Sequence, residues 1–537
     1  MIFRRTTAPA SFTGSPASWQ LPLGIAAELS SAEDPAPTST MLGPHGGATS
    51  VMVDRHGWVS PSDKAWSLDW RVRTGDGWES AGDVRKTTQR LAGGCVIETT
   101  MPTAVGPIHH RVAVAVAGGQ PVVLVDIENA ANVAVAVALA VRPFSHRHSG
   151  VSAITASVDG IEADGQSALR PLRPPLAVMA ASDHDVLHQL PAESDTGTTH
   201  PQPASSSAGC ANAALIWAVP HTATLRVWMP LSGTVPPGAA VPGIDDVIRG
   251  WDRHLSSLPN IVVEETPVAE AIPAMARDLL CRTPADGDVA AWMIALADLG
   301  YGREAVPGVR WLGDDEDPAQ VIHATGRLGQ LGFQGEWQQD ALTPLAKAAH
   351  AMVRGATTQP MAGWGSAVVT SAATVADAIQ QPDVADRLRK LASTVVASHG
   401  DASATRPLAL ASPTWTWCGQ EHAHDLGETA RVAAALRQLV VSDGPGEIRL
   451  LSEMPVAWRG TNVEAHNVMC ADGILSFGLR WHGPRPALLW EFEPAQGAES
   501  STFRLTVPGV SSDWVGTERA GEALLPDPGW PAPDGSS

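Results

Sequence analysis

The sequence predicts a multidomain protein of α and β structure, with an N-terminal antiparallel β-sandwich, a central helical region and a small C-terminal β domain. The hydrophobic period changes from strand-like to helical near residue 265 and back near residue 445. The length of 537 residues leaves room for several domains, and 44% hydrophobic residues are enough for their cores. The predicted parts are the sandwich over 1–260, the helices over 265–442, the β domain over 445–520 and a flexible tail over 521–537.

The sandwich is predicted from short apolar runs that are separated by turn residues. Runs such as 110–116, 121–129 and 133–141 are rich in Val, and clusters of Gly, Pro, Asn and Asp lie between the runs. This pattern is typical of antiparallel sheets that pack face to face. The polar stretch 182–209 breaks the pattern, and we expect it to be a surface excursion or a disordered loop.

The helical region is predicted from apolar residues at i, i+3, i+4 and i+7. The segment 288–300 has this spacing, with Asp288 in the N-cap position and Gly300 as the stop. The segments 383–400 and 424–441 repeat the pattern. Further helices are expected over 268–281, 319–331, 337–354 and 366–380, which gives about seven helices in all.

Strands return after residue 445. Apolar and polar residues alternate over 447–493, and Asp472 and Gly473 give a two-residue hairpin signal. The segment 502–509 predicts one further strand. The chain beyond it is rich in Pro and Gly, which predicts the loose tail.

The charge balance limits the partners of the chain. There are 36 basic and 56 acidic residues, which gives a formal net charge of −20. Nucleic acid and anionic membrane surfaces both attract basic proteins, so neither is expected as a partner. The N-terminal residues show no apolar signal region, and no apolar run approaches the roughly 20 residues that span a membrane. We therefore expect a cytoplasmic protein without membrane insertion, and the oligomeric state is left open.

No cofactor and no metal ion is expected. The five cysteines are far apart and form no CxxC pair, so the sequence predicts neither disulfides nor a zinc site. The HRH motif at 146–148 lacks a third ligand, and His109 and His110 lie in a predicted strand. The acidic run 313–318 lacks the ligand spacing of a calcium loop and predicts a solvated loop.

The order of the three parts resembles that of the six-hairpin glycosidase superfamily. The segment 247–267 is similar to the linker that enters the first toroid helix of that family, and 448–465 with 478–493 is similar to its C-terminal cap. The resemblance implies an N-terminal β-supersandwich, an (α/α)6 toroid, a C-terminal β cap and a glycan as ligand. Because about seven helices are predicted where a full toroid has twelve, a partial toroid is the alternative.

Inverting glycosidases need a carboxylic acid and a carboxylate on opposite sides of the scissile bond. The resemblance implies that these acids lie in loops at inner helix ends, beside Trp residues that hold the sugar. The segment 332–340 has this composition, because Glu336 and Asp340 flank Trp337. The alternative is a plain helix start, where acidic residues are favoured by the helix dipole.

The segment 413–428 has the same composition. Aromatic faces, carboxylates and imidazoles suit a sugar site, and the segment supplies Trp415, Trp417, Glu421, His422 and His424. Asp425 and Glu428 of this segment also fit a capping box before an apolar helix. The 19 Trp residues, against one Tyr and seven Phe, favour carbohydrate handling, although codon bias in a GC-rich genome has the same effect.

Two functions follow from these segments. The first is a glycoside hydrolase-like protein of the inverting type for an α-glycan, as an oligosaccharide or polysaccharide, with Glu336 and Glu421 as the acid/base pair. Its substrate contacts are Trp337, Trp415, Trp417, Asp340, His422 and His424. The second is a non-catalytic glycan-binding protein or scaffold with the same architecture.

Replacement of Trp415 or Trp417 by Ala tests the sugar contacts of the segment 413–428. An exposed indole that stacks on a sugar ring contributes about 1–3 kcal/mol to binding, by analogy with other aromatic stacking platforms. We expect weaker oligosaccharide binding in calorimetric titrations and an unchanged melting temperature. A lower melting temperature with unchanged binding would instead place both indoles in the core.

Overall fold

In a computed structural model, the described residues are 39–530 with the exception of 48, 76, 85, 93–94, 146–149, 192–197, 257–258, 264–265, 334, 354–365, 399–425, 445, 453, 456–457 and 496–502. The chain folds into two compact units, one up to His254 and one from Leu255 onward. Within the described residues, no helix has the length and the apolar composition needed to cross a membrane.

Two antiparallel sheets form the first unit. Its described strands are β1 (Ser39–Leu42), β2 (Val51–Asp54), β3 (Val59–Pro61), β4 (Ser67–Arg73), β5 (Trp78–Glu79), β6 (Thr88–Ala92), β7 (Val96–Thr103), β8 (Gly106–Ala117), β9 (Gln120–Asn129), β10 (Val135–Arg142), β11 (Ala153–Ser157), β12 (Gly160–Ala163), β13 (Gln166–Pro171), β14 (Ala177–Ala181), β15 (Gln202–Ser205), β16 (Asn212–Val219) and β17 (Thr224–Pro230). One sheet has the order β1-β2-β3-β4-β10-β16-β14, with β5 beside β4, and the other has the order β15-β11-β12-β13-β17-β9-β8-β7-β6. The neighbouring strands of both sheets run antiparallel.

One hydrophobic core joins the two sheets. It takes Trp70 and Val137 from the first sheet and Val112, Val125 and Leu225 from the second, and none of them is more than 2% exposed. The Val residues suit this place because a branched side chain packs well on a pleated surface. The predicted antiparallel sandwich is therefore confirmed.

The polar stretch 182–209 contains a buried turn that the sequence does not predict. Val186 and Leu187 begin a 3₁₀ helix (Val186–Gln189) and are buried. Asp185 caps this helix by accepting a hydrogen bond from the N–H of Leu187. The expectation of a surface or disordered loop is wrong for these residues, because Asp185 also binds a buried arginine of the sandwich, Arg142.

Arg142 lies between two buried aspartates. Its Nη1 donates to Asp69 Oδ2 at 2.9 Å, and its Nη2 donates to Asp185 Oδ2 at 2.6 Å. The three side chains are at most 8% exposed. Because a buried charge without its partner is strongly destabilising, both aspartates are needed to keep the guanidinium group inside the fold.

Replacement of Asp185 by Ala tests this buried ion pair. We expect the free energy of unfolding in urea to fall by about 3–5 kcal/mol, since Arg142 then stays buried with one carboxylate fewer. The matched control is Asp63→Ala, because Asp63 is half-exposed and pairs with Lys64 at 3.7 Å. The control should change the free energy of unfolding by no more than about 1 kcal/mol. Equal effects of the two substitutions would contradict the importance of the buried pair.

The helices described in the structure include every helical segment that the sequence predicts. In chain order they are α1 (Ile244–Leu255), α2 (Thr266–Cys281), α3 (Val289–Asp298), α4 (Gly302–Ala305), α5 (Pro318–Gln330), α6 (Trp337–Val353), α7 (Ser366–Ala378), α8 (Pro382–Ser398) and α9 (Leu426–Val440). The predicted segments correspond to α2, α3 and α5 to α9, and Pro273 and Pro344 lie inside α2 and α6. A second 3₁₀ helix (Val306–Trp311) follows α4. The closure of these helices into a full or partial toroid stays a prediction.

Helix α5 is the central helix of this group. It packs against α3, α6 and α7, while α9 packs against α2 and α3, and α8 packs against α6 and α7. Its residues from Val321 to Leu328 are all buried. The position of α5 therefore affects most of the other helices.

Two residues of the acidic run 313–318 cap helices. The carboxylate of Glu316 accepts hydrogen bonds of 2.9 and 3.2 Å from the first two N–H groups of α3. Asp317 caps α5 in the same way. Glu316 is 6% exposed, and this burial raises the pKa of its carboxyl group. The predicted solvated loop is therefore wrong for Glu316, which is buried. Glu316 caps α3 in place of Asp288, whose side chain makes no cap hydrogen bond.

Two further sheets complete the second unit. Their described strands are β18 (Asn260–Val263), β19 (Val441–Gly444), β20 (Glu447–Leu450), β21 (Val463–Cys470), β22 (Gly473–His482), β23 (Arg485–Pro494), β24 (Leu505–Val507), β25 (Ser511–Gly516) and β26 (Ala520–Leu524). One sheet has the order β18-β21-β22-β23-β26, and the other has the order β19-β20-β24-β25, in which β20 and β24 are parallel. Strand β26 pairs with β23 and occupies the start of the predicted tail 521–537. The predicted domain limits themselves stay predictions.

The hairpin between β21 and β22 lies one residue earlier than the sequence predicts. Its turn residues are Ala471 and Asp472, because Cys470 is paired with Gly473. Gly473 is required for a different reason. A Cβ atom at this position would lie 2.1 Å from the carbonyl oxygen of Glu493 on the neighbouring strand.

Buried ion pairs join the helices of the second unit to its C-terminal strands. Asp443 of β19 accepts a 2.9 Å hydrogen bond from Arg327 of α5 and pairs with Arg437 of α9. Arg327 also donates to Asp298 of α3 at 2.7 Å. The four side chains are at most 5% exposed. Burial by itself would raise the pKa of Asp443, but the two guanidinium groups lower this pKa below its usual range.

Candidate functional site

A cleft of about 750 Å³ lies at the N-terminal end of α6. Its walls come from α4, from the 3₁₀ helix Val306–Trp311, from the turn after α5 and from the first turn of α6. This volume falls within the range of roughly 300–1,000 Å³ that is typical of small-molecule sites. The cleft is therefore large enough for a small ligand.

A glycine turn carries the chain from α5 into this cleft. Gly332 has a φ of +74°, the N–H of Phe333 donates to the carbonyl of Leu328, and the N–H of Gly332 donates to that of Gly329. These two bonds are the Schellman motif, which ends a helix at a residue with positive φ. The ring of Phe333 then lies against Gly302, where a Cβ atom would be 2.1 Å from the ring. The glycines thus determine where the aromatic wall of the cleft stands.

Charged side chains of both signs line the cleft. Arg310 Nε donates to Asp340 Oδ2 at 2.8 Å, and this hydrogen bond raises the pKa of Arg310. Arg303 and Glu336 are exposed in the same cleft. Among the described residues, neither of these two side chains has an ion-pair partner. Arg303 and Glu336 are therefore available to a ligand, whereas Arg310 and Asp340 bind each other.

The ring of Trp337 forms part of the cleft wall but is only 5% exposed. A sugar platform needs an exposed ring face, which this side chain does not offer in the structure. Its Nε1 atom is buried without a hydrogen-bond partner in the described part of the chain. The more accessible rings of this region are the half-buried Phe333 and Trp311, which is 45% exposed and packs against Trp292.

The sequence predicts the acidic residues of this cleft but not its basic and aromatic residues. Glu336, Trp337 and Asp340 belong to the predicted segment 332–340, and the structure brings all three to the cleft. The missed residues of the cleft are Arg303, Arg310 and Phe333. Arg310 and Trp311 are adjacent and lie between Gly308 and Gly313. A charged residue beside a Trp and near glycines is also the pattern of the segment 332–340, so this pattern could have indicated Arg310.

Residues 413–425 of the second predicted segment lie outside the described residues, and 426–428 begin α9. This concerns Trp415, Trp417, Glu421, His422 and His424. Their roles stay predictions, and so does the pairing of Glu336 with Glu421.

The described histidines His109 and His110 of the sandwich make contacts within the sheets. The ring of His110 is buried and stacks on Trp70 with 4.9 Å between centroids, and burial lowers the pKa of His110 to about 3. His109 Nδ1 makes a 3.0 Å hydrogen bond with the hydroxyl of Thr100. The HRH motif at 146–148 lies outside the described residues. Within either unit taken by itself, the described side chains include no group of three that is placed to bind a metal ion.

Comparisons with known proteins give no family for this chain. No protein-family model matches it, and no curated protein matches its sequence. Its structure is similar to that of a bacterial glucoamylase complexed with acarbose, with a TM-score of 0.38 and 9% identity over 68% of each chain. It is also similar to an α-L-rhamnosidase from Dictyoglumus thermophilum, with a TM-score of 0.32 and 8% identity over 80% of this chain and 61% of that one. Both neighbours are glycoside hydrolases, but at these scores the function of neither transfers to this chain.

Proposed function

We propose that the chain binds a neutral oligosaccharide in the cleft at the start of α6. The observation that supports this proposal is the composition of one cleft of about 750 Å³, which holds carboxylates, guanidinium groups and an aromatic ring together. Sugar hydroxyls both donate and accept hydrogen bonds, so they use side chains of both signs. The apolar face of a sugar ring packs on an aromatic side chain such as Phe333.

The balance of charge in the cleft favours an uncharged ligand. The positive charges of Arg303 and Arg310 balance the negative charges of Glu336 and Asp340. A strongly anionic or cationic ligand would meet repulsion from one pair of these groups. An α-glycan is the first choice among neutral oligosaccharides, because of the resemblance to six-hairpin glycosidases given above.

Replacement of Arg303 by Ala tests binding in the cleft. We expect the affinity for maltohexaose, measured by isothermal titration calorimetry, to fall by about 1.5–3 kcal/mol, the usual contribution of a hydrogen bond from a charged group. The control is Arg504→Ala, because Arg504 is 56% exposed and lies near β24, in another part of the same unit. Equal affinities of the wild type and Arg303→Ala would show that the cleft is not the binding site. Cellohexaose in the same titration distinguishes α-linked from β-linked glycans.

Hydrolysis of the bound glycan is the second function that we propose. Glu336 supports it, because its carboxylate is exposed in the cleft and has no hydrogen-bond partner among the described side chains. A solvated carboxylate suits the general base of an inverting glycosidase, which must hold the attacking water. Glu421 is then the general acid, and its carboxyl group should stand roughly 6.5–9.5 Å from that of Glu336.

Replacement of Glu336 or Glu421 by Gln distinguishes a glycoside hydrolase from a non-catalytic glycan-binding protein. Each substitution should abolish the release of reducing sugar from an α-glycan, because proton transfer needs a carboxyl group. Binding of maltohexaose should be nearly unchanged, since an amide oxygen still accepts a hydrogen bond. The control is Glu491→Gln on the exposed face of β23. A wild-type chain that binds maltohexaose and releases no sugar would be the non-catalytic glycan-binding protein.

A further inference from the structure

We propose that the indole N–H of Trp337 donates a hydrogen bond to a ligand hydroxyl, and that Gly335 keeps open the space next to this N–H. The contact presupposes the oligosaccharide function proposed above and adds the chemistry of one group of the ligand. It also gives Trp337 a role other than stacking, which its buried ring does not allow.

The Nε1 atom of Trp337 is a donor without an acceptor. It is buried and has no hydrogen-bond partner among the described residues. The indole N–H of Trp292, by contrast, donates to the carbonyl of Leu279 at 2.7 Å. Trp58 and Trp481 also have buried Nε1 atoms without a partner, but only Trp337 of the three lines the cleft. Because a buried donor is normally paired, the donor of Trp337 points to a partner that is supplied from the cleft.

Gly335 leaves room beside the edge of the indole that carries this donor. Its φ is +152°, and it lines the same cleft. A Cβ atom at Gly335 would lie 3.6 Å from Cδ1 of Trp337, the ring carbon that is bonded to Nε1. The volume that a side chain would fill here therefore adjoins the ring edge that carries the donor, and Nε1 itself lies more than 4 Å from this Cβ position. A ligand that occupies this volume and extends toward Nε1 reaches the N–H group.

The neighbouring charges define the kind of oxygen that fits this place. An indole N–H only donates, so the ligand atom must be an acceptor. When it is ionised, the carboxylate of Glu336 only accepts hydrogen bonds. A ligand group that can also donate a hydrogen bond therefore binds both residues. A hydroxyl does both, whereas a carboxylate or a phosphate oxygen would be repelled by Glu336. The contact therefore selects a polyhydroxylated, uncharged ligand.

Trp337→Phe in the full chain tests the donor, because it removes the N–H and keeps an aromatic ring. We expect binding of maltohexaose to be roughly three- to tenfold weaker in calorimetric titrations, the effect of one neutral hydrogen bond. The melting temperature of the ligand-free protein should fall only through the volume that the smaller ring leaves in a buried site, since no protein hydrogen bond is lost. The matched control is Trp292→Phe, which removes the same volume from an equally buried site, also loses the bond to Leu279 and should therefore lower the melting temperature further, without a change in affinity.

Gly335→Ala tests the open space beside the donor. Its matched control is Gly483→Ala, because Gly483 also has a positive φ, lies in the turn between β22 and β23 outside the cleft lining, and a Cβ atom there would meet nothing within 4 Å. Both substitutions strain the backbone, but only Gly335→Ala should weaken the binding of maltohexaose. Equal affinities of the two variants would contradict the role of Gly335.

The possible results separate this contact from the function on which it depends. A wild-type chain that binds neither maltohexaose nor cellohexaose would overturn the proposed function and the contact with it. A wild-type chain that binds maltohexaose, together with a Trp337→Phe variant of equal affinity, would overturn the contact alone. A Trp337→Phe variant with equal affinity and a melting temperature as low as that of Trp292→Phe would show that the N–H has a partner inside the protein.

Discussion

One buried carboxylate, that of Asp443, fixes the parts of the second unit that support the cleft. Arg327 of α5 and Arg437 of α9 both converge on it, and Arg327 also reaches Asp298 of α3. Helix α5 leads through the turn at Gly332 into the cleft, so the position of its end decides where the cleft residues stand. Since an uncompensated buried charge is strongly destabilising, these helices cannot move far from β19. The cleft is thus built on a fixed support.

The features that the sequence predicts correctly depend on residues close together in the chain. The Val-rich runs and the helical spacing of apolar residues are local patterns, and they identify the sandwich and the helices α2, α3 and α5 to α9. The features that it misses depend on distant partners. Asp185 is buried because Arg142 needs a carboxylate, and α3 is capped by Glu316 although Asp288 directly precedes the helix. The spacing of residues along the sequence does not predict these contacts.

The candidate site also contains some residues that local sequence predicts and others that only the folded chain brings together. The segment 332–340 is recognisable because carboxylates flank a Trp, and two glycines, Gly332 and Gly335, lie in the same short segment. The arginines Arg303 and Arg310 come from earlier helices, so only the folded chain brings them to Glu336. The burial of Trp337 is also beyond a sequence reading, because composition does not tell which side chain of a first helical turn faces inward.

The position of Asp443 has a consequence for the evolution of this chain. The change from helices to strands near residue 445 looks like a natural place for recombination, but the compact units divide near His254 instead. A helical region that was inherited without β19 would keep Arg327 and Arg437 and lose the carboxylate that they share. The helices and the C-terminal strands are therefore expected to be exchanged between genes together, as one heritable module.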